Sequence, residues 1–208
     1  MIKYSQIKDL NNDNFNQAIN IYQDAFPDNE KLTIETLKAN ISGDKLQLFT
    51  GCEKSKVIFM AILCPLINTN FTLLAYVATD ENYRGKGIGK EFMEYLAIEL
   101  KKQEKYLLLE VENPILGENK NVKQRRVNFY QRLGAKTMKN IRYLLPKLSD
   151  EEAPEMILMI YPSYKESFIE GDLVKTLIIS VYEQFYQQYA HPNLNFLLTN
   201  IPDKINLV

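Results

Sequence analysis

The chain has 208 residues, 46% hydrophobic and 25% charged, with a net charge of −1. That length suits one domain, or one domain with an appendage. The balanced charge leaves no nucleic-acid footprint, and the apolar runs are too short to span a bilayer.

Phe15, Ala18, Ile19, Tyr22 and Phe26 recur at helical spacing over residues 13–26, with Asp13 as the expected cap. Pro27-Asp28-Asn29 breaks that pattern, and a second helix is expected from Thr33 to Ile41, ended by Gly43. Leu46–Gly51 and Val57–Leu66 read as strands joined by a turn at Glu53-Lys54-Ser55, and Phe71–Thr79 as a third. Ile88, Phe92, Leu96 and Leu100 place an apolar stripe on a helix running to Lys102. Tyr106–Val111 is nearly continuous in apolar residues, as suits a strand covered on both faces. After Asn113-Pro114 the segment 115–123 reads as polar and mobile. A helix follows over 124–133 and ends at Gly134, then strands over 141–145 and 155–161 joined by the acidic loop Ser149 to Glu152. The expected fold class is α/β with a mixed sheet. Beyond residues 1–163, residues 164–208 form a C-terminal helical extension: a helix over 172–189, then an irregular stretch. Its expected role is packing on the core or on a second subunit as a homodimer contact.

The N-terminus lacks a signal-peptide pattern, because Asp9, Asn11, Asn12 and Asp13 interrupt it, so a cytoplasmic location is expected. Cys52 and Cys64 give neither metal-type spacing nor a disulfide framework. The one histidine, His191, reads as a helix-end residue, which argues against serine–histidine triads and histidine-rich zinc sites. No metal is expected, and acid–base chemistry falls to Glu, Asp, Tyr, Lys or water.

The most informative stretch is Arg84-Gly85-Lys86-Gly87-Ile88-Gly89-Lys90, between a strand and a helix. Glycines let backbone amides converge on a ligand, and the helix start adds unpaired N–H groups and partial positive charge. A phosphate or pyrophosphate site is implied. The G-x-G-x-G spacing departs from the dinucleotide pattern, and Glu91 stands where a P-loop needs a hydroxyl.

What fits is R-x-x-G-x-G, met by Arg84, Gly87 and Gly89. It resembles the acetyl-CoA signature of the GNAT superfamily of N-acetyltransferases. Phe129-Tyr130-Gln131-Arg132-Leu133-Gly134-Ala135 is similar to that family's second motif, in the expected order. The resemblance covers about residues 1–162, with motif-level similarity over roughly 73–135. It implies acetyl-CoA as donor, held by the main chain of Val77, Ala78 and Thr79, by Arg84, Gly85, Lys86, Gly87, Ile88, Gly89 and Lys90, and by Asn113. Asn113 reads equally as an Asn-Pro strand stop. The resemblance makes Tyr130 the acid that protonates the departing thiolate; the other reading is an aromatic core residue. A phenol near pKa 10 stays protonated beside a thiol near about 8.5.

The family often uses a strand carboxylate as base. Glu110 and Glu112 alternate on one strand and share a face. The alternative is two ordinary solvated glutamates. A lysine-like amine is neutral in about one molecule in 2,500 at pH 7, a shortage of roughly 4.6 kcal/mol; an α-amine loses only about 1 kcal/mol. The resemblance implies acceptor contacts from the first two helices with their connection and from a late hairpin, which here hold Asp28, Asn29 and Glu30 and the acidic 149–155 loop. Acidic rims suit an amine acceptor, a small molecule or a peptide, and the other reading of such a loop is a solubility feature. Two departures from the family stand out. Glu81 replaces a frequent proline, leaving Asp80-Glu81 beside the loop, and Lys123 occupies a usual asparagine position. The implied function is acetyl transfer to a primary amine. A non-catalytic CoA-binding module and an acyltransferase for longer acyl groups are the alternatives.

Overall fold

The computed structural model describes residues 2–146 and 154–208, so the acidic 149–152 loop lies outside the described residues. The chain adopts the α/β class expected, and its residues divide into two compact units.

The first unit comprises residues 1–65 and 74–98. Its strands are β1 (Lys3–Ile7), β2 (Gln47–Glu53), β3 (Lys56–Pro65) and most of β4 (Phe71–Thr79), hydrogen-bonded in that order. β1 runs antiparallel to β2 from Lys3 opposite Cys52 to Ile7 opposite Leu48. β3 is buried from Val57 to Cys64, which explains its unbroken apolar run. Helix α1 (Asp13–Ala25) lays Phe15, Ala18, Ile19 and Tyr22 inward, and its Gln17 side chain accepts the Val57 amide at 2.9 Å. The cap is Asn12, not Asp13: the Asn12 side chain accepts from the Asn14 amide. Helix α2 (Ile34–Ser42) starts at Thr33 and stops at Gly43 as expected. Helix α3 (Ile88–Lys102) begins in this unit and buries Ile88, Phe92, Met93, Leu96, Ala97 and Leu100. Each of these side chains other than Ala97 contributes about 1.5–3 kcal/mol.

The second unit comprises residues 66–73 and 99–208. Its central strand is β8 (Glu155–Tyr161), antiparallel to β5 (Tyr106–Glu112) from Leu107 opposite Tyr161 to Glu112 opposite Met156. Two short strands, β6 (Lys136–Thr137) and β7 (Tyr143–Leu144), also pair with β8. The strand expected over 141–145 is therefore only two residues long. Helix α4 (Lys120–Arg132) begins four residues earlier than expected, so part of the stretch read as polar and mobile is helical. Gly134 follows its end at φ 93°, the left-handed value a glycine stop requires.

The extension is more ordered than its sequence suggests. Strand β9 (Phe168–Glu170) leads into α5 (Gly171–Ser180), a π-helical turn (Val181–Phe185), α6 (Pro192–Thr199) and β10 (Lys204–Asn206), which pairs with β9. His191 does sit at a helix end: it is the N-cap of α6, where its Nδ1 accepts the Asn193 amide at 3.2 Å. Thr137 and Val208 exchange amide–carbonyl hydrogen bonds at 2.7 and 3.1 Å.

Candidate active site

The glycine loop is built in the first unit. A 3-10 turn (Glu81–Tyr83) leads out of β4, and Arg84 follows it with its Nε donating to the Thr79 carbonyl at 3.3 Å. Gly85 and Gly87 have φ of 77° and 80°, and a Cβ on either would meet nothing within 4 Å. The backbone geometry, not crowding, demands glycine, and open space lies before the loop. The Glu91 amide bonds to the Gly87 carbonyl at 3.0 Å, so the amides of Ile88, Gly89 and Lys90 lie in the first turn, where an α-helix offers no partner. Arg84, Lys86 and Lys90 are exposed; Lys86 lies over the Tyr83 ring, 4.5 Å from its centre, and Lys90 is 3.7 Å from Glu94. Free amides, a helix start and cations around an open turn fit a pyrophosphate.

The Asp80-Glu81 pair beside this loop has a structural explanation. Asp80 caps the 3-10 turn through the Asn82 amide at 2.9 Å and forms an ion pair with Lys56 at 3.0 Å. Its charge is answered locally, and Glu81 is exposed.

Tyr4 of β1 supports the start of α3, a role that no sequence pattern signals. Its hydroxyl donates to the Ile88 carbonyl at 2.9 Å, and its ring packs against Phe59, Phe92 and Tyr95. Gly51 makes room for that ring: a Cβ there would lie 2.8 Å from Tyr4 Cε1. Burial, together with the nearby Glu91 carboxylate, pushes the Tyr4 phenol well above its ordinary value.

Of the candidate donor-binding strand residues, Ala78 is buried while Val77 and Thr79 are partly exposed. Asp28 and Glu30 lie in a 3-10 turn (Asp28–Glu30). Tyr76 of β4 donates to the Glu30 carbonyl at 2.7 Å and accepts the Leu32 amide at 3.2 Å, pinning that segment. Asp28 itself points to solvent and pairs with Lys31 at 2.9 Å.

The second unit holds Glu110, Glu112, Asn113 and Tyr130. Glu110 and Glu112 share a face of β5, but their surroundings differ. Glu112 is neutralised from α4: Lys123 Nζ is 3.4 Å away, and Arg126 makes a close hydrogen bond to its other oxygen. Lys123, where the family pattern has an asparagine, thus ties α4 to β5. Glu110 meets no cation in this cluster. Tyr143 donates to its Oε1, and Tyr186 donates to its Oε2 at 3.0 Å. Burial dominates and raises the Glu110 carboxyl from 4.5 to about 7, although both hydroxyls favour the charged form. Burial and the neighbouring Glu110 carboxylate in turn push the Tyr143 phenol well above its ordinary range. Tyr130, on the last turns of α4, packs edge-on against Phe129; burial pushes its phenol up to about 12, with Arg126 opposing. Asn113 bonds Glu155 through its side-chain amide at 3.0 Å and accepts the Ile115 amide at 3.2 Å, so it also locks the end of β5. The tyrosines at 143 and 186 are the residues sequence reading missed, because only the fold brings them to position 110. Among the described residues no group of three or more His, Cys, Asp or Glu side chains could hold a metal ion.

Residues 45–134 match the family model of the acetyltransferase (GNAT) domain. That span contains the loop, α3, β5 and Tyr130. No curated protein matched the sequence. Among solved structures, a putative GNAT-family acetyltransferase from Bacteroides thetaiotaomicron superposes with a TM-score of 0.72 at 20% identity, covering 87% of this chain and 96% of its own. The ribosomal-protein-S18-alanine N-acetyltransferase from Escherichia coli gives 0.58 at 24% identity, covering 80% and 97%. A GNAT-family acetyltransferase from Elizabethkingia anophelis, solved with acetyl-CoA bound, gives 0.53 at 15% identity, covering 76% and 96%. Residues 45–134 thus resemble a GNAT acetyltransferase domain, and the chain shares the fold of these GNAT structures.

Proposed function

We propose that the protein transfers an acetyl group from acetyl-CoA to a primary amine by direct attack. The observation that carries this reading is the loop 84–90, whose two left-handed glycines open onto free space at the start of α3 within a matched GNAT domain. In this reading Arg84 to Lys90 hold the pyrophosphate, and the main chain of Val77, Ala78 and Thr79 receives the pantetheine arm. A backbone N–H near Ala78–Thr79 polarises the thioester carbonyl. Asn113 is a further contact from β5.

Glu110 is the better base of the two glutamates. A carboxyl held near 7 is half ionised at neutral pH, whereas the charge of Glu112 is committed to Lys123 and Arg126. Glu112 instead fastens the helix that carries Tyr130. Tyr130 donates its proton to the departing sulfur. At about 12 its phenol is a weak acid, so proton donation accompanies bond breaking rather than preceding it, and Arg126 steadies the charge left behind. The base strength also bears on the acceptor. A carboxylate near 7 is matched within about one unit to an α-amine near 7.7 but falls more than three units short of a lysine-like amine. An α-amine, of an amino acid or a peptide, is the favoured acceptor, with Asp28 and Glu30 attracting its positive charge. The E. coli structural neighbour, which acts on an alanine of a ribosomal protein, supports including peptides.

The proposed location is the cytoplasm; among the described residues no helix is long and apolar enough to cross a membrane. The test is thiol release from acetyl-CoA against a panel of peptide N-termini, amino acids, polyamines and aminoglycosides. Turnover is expected with an α-amine. CoA binding without thiol release across the panel would mark a binding module instead, and preference for a longer acyl-CoA would correct the donor.

A further inference from the structure

The hydroxyl on Glu110 Oε2 comes from the extension, 76 positions along the chain. Tyr186 directly follows the π-helical turn Val181–Phe185. Such wide turns are rare and recur at functional sites. Here the turn lets two tyrosines four residues apart serve different strands. Tyr182 donates to the Leu144 carbonyl of β7 at 2.6 Å, beside Tyr143, while Tyr186 reaches β5. The π turn is therefore fastened to both strands that bring oxygen atoms to this point. Packing alone needs no hydroxyl in the ring at 186. With one hydroxyl on each carboxylate oxygen, the plane of Glu110 is fixed and further lone pairs remain on both atoms.

We propose that Tyr186 is a positioning residue for acetyl transfer, through which the C-terminal extension orients the Glu110 carboxylate and tunes its proton affinity. The proposal rests on the reading of Glu110 as the base. The groups that face Glu110 are Tyr143 of β7 and Tyr182 and Tyr186 of the extension. Glu112 lies two residues along the same face with Lys123 and Arg126 upon it, and His191 packs on the Tyr182 ring.

The experiment compares pH profiles of kcat/KM with acetyl-CoA and one accepted amine throughout, so that the amine's own titration is common to all variants. A hydroxyl donor favours the ionised carboxyl, so Tyr186→Phe is expected to move the acid limb up by about 0.5–1 pH unit. The rate at pH 9 should stay within about twofold of the parent. Replacement of Tyr186 by 3-fluorotyrosine, a more acidic donor of nearly the same size, should move the limb down and decides the matter if the phenylalanine variant does not fold. Tyr189→Phe, at an exposed ring, is the control and should move nothing. An unmoved limb, or a loss equal at every pH, overturns the proposal. If Glu110→Gln keeps the full rate, or no amine is acetylated, the base reading fails and this inference falls with it. If Glu110→Gln is inactive while the limb of the Tyr186 variants stays in place, only this inference falls.

Discussion

Replacing Glu110 by glutamine should stabilise the protein, and by an amount that grows with pH. In the folded chain the carboxyl titrates near 7; in the unfolded chain it returns to its ordinary 4.5. Between those values the folded state binds the proton more tightly, so stability falls as pH rises through the window and levels off above 7. At about 1.4 kcal/mol per pH unit, the interval amounts to about 3 kcal/mol of stability absent at pH 8 and nearly all present below pH 5. Glutamine has no charge to desolvate, and its carbonyl still accepts a hydroxyl from Tyr143 or Tyr186. Other titrating groups are common to both proteins and cancel in the difference. Thermal melts by circular dichroism at pH 5 and pH 8 provide the assay. The variant should melt close to the parent at pH 5 and about 6–12 °C above it at pH 8. A gap that stays constant between the two pH values would refute the reasoning. The same variant should have lost most of its acetyl transfer, as expected when a site holds a group at a cost to stability.

Tyr130→Phe should lower kcat at least tenfold while leaving the affinity for CoA, measured by calorimetry, within about twofold. Because burial keeps that phenol protonated, the parent enzyme's rate should show no loss from Tyr130 up to about pH 10. Gly87→Ala strikes no neighbour but forces an alanine to φ 80°, a strain of about 1–2 kcal/mol. The KM for acetyl-CoA should rise about fivefold to thirtyfold, and a KM within twofold of the parent would speak against the loop's assignment. Tyr4→Phe removes the hydrogen bond to the Ile88 carbonyl and should cost about 1 kcal/mol, read as a fall in melting temperature of about 2–4 °C.

The elements that sequence reading placed well are those whose pattern is strong and punctuated. β4 and α3 occupy the expected residues because an apolar run and a 3.6-residue stripe are bounded by Asn70, Gly87 and the Lys101-Lys102 pair. β1 escaped because only Ile7 of its five residues is buried, leaving no alternation to see. α4 starts at Asn119, which is left-handed and makes no side-chain cap, and its first turn carries no acidic residue, so the start signal is weak. β6 and β7 are two residues each, shorter than any period. α6 opens on His191-Pro192, a pair that reads as a break. The candidate site divides in the same way. The loop 84–90 is contiguous, so its glycine turn and the helix start after it were legible in the spacing. The environment that separates Glu110 from Glu112 is assembled from positions 123, 126, 143 and 186, which only tertiary structure brings together. The sequence could pair the two glutamates but could not rank them.

The Tyr186–Glu110 hydrogen bond has a consequence for the order of folding. It closes a span of 76 residues, and β8, which must form before β7 has a partner, is itself more than forty residues beyond β5. Contacts of such separation form late, because loop-closure entropy is lost before they repay it. Until they form, the Glu110 carboxyl remains hydrated and titrates as an ordinary acid, a weaker base than the proposed reaction requires. A partly folded chain with its glycine loop already in place would hold the donor without the proton acceptor, so in refolding the recovery of acetyl transfer should lag behind the recovery of CoA binding.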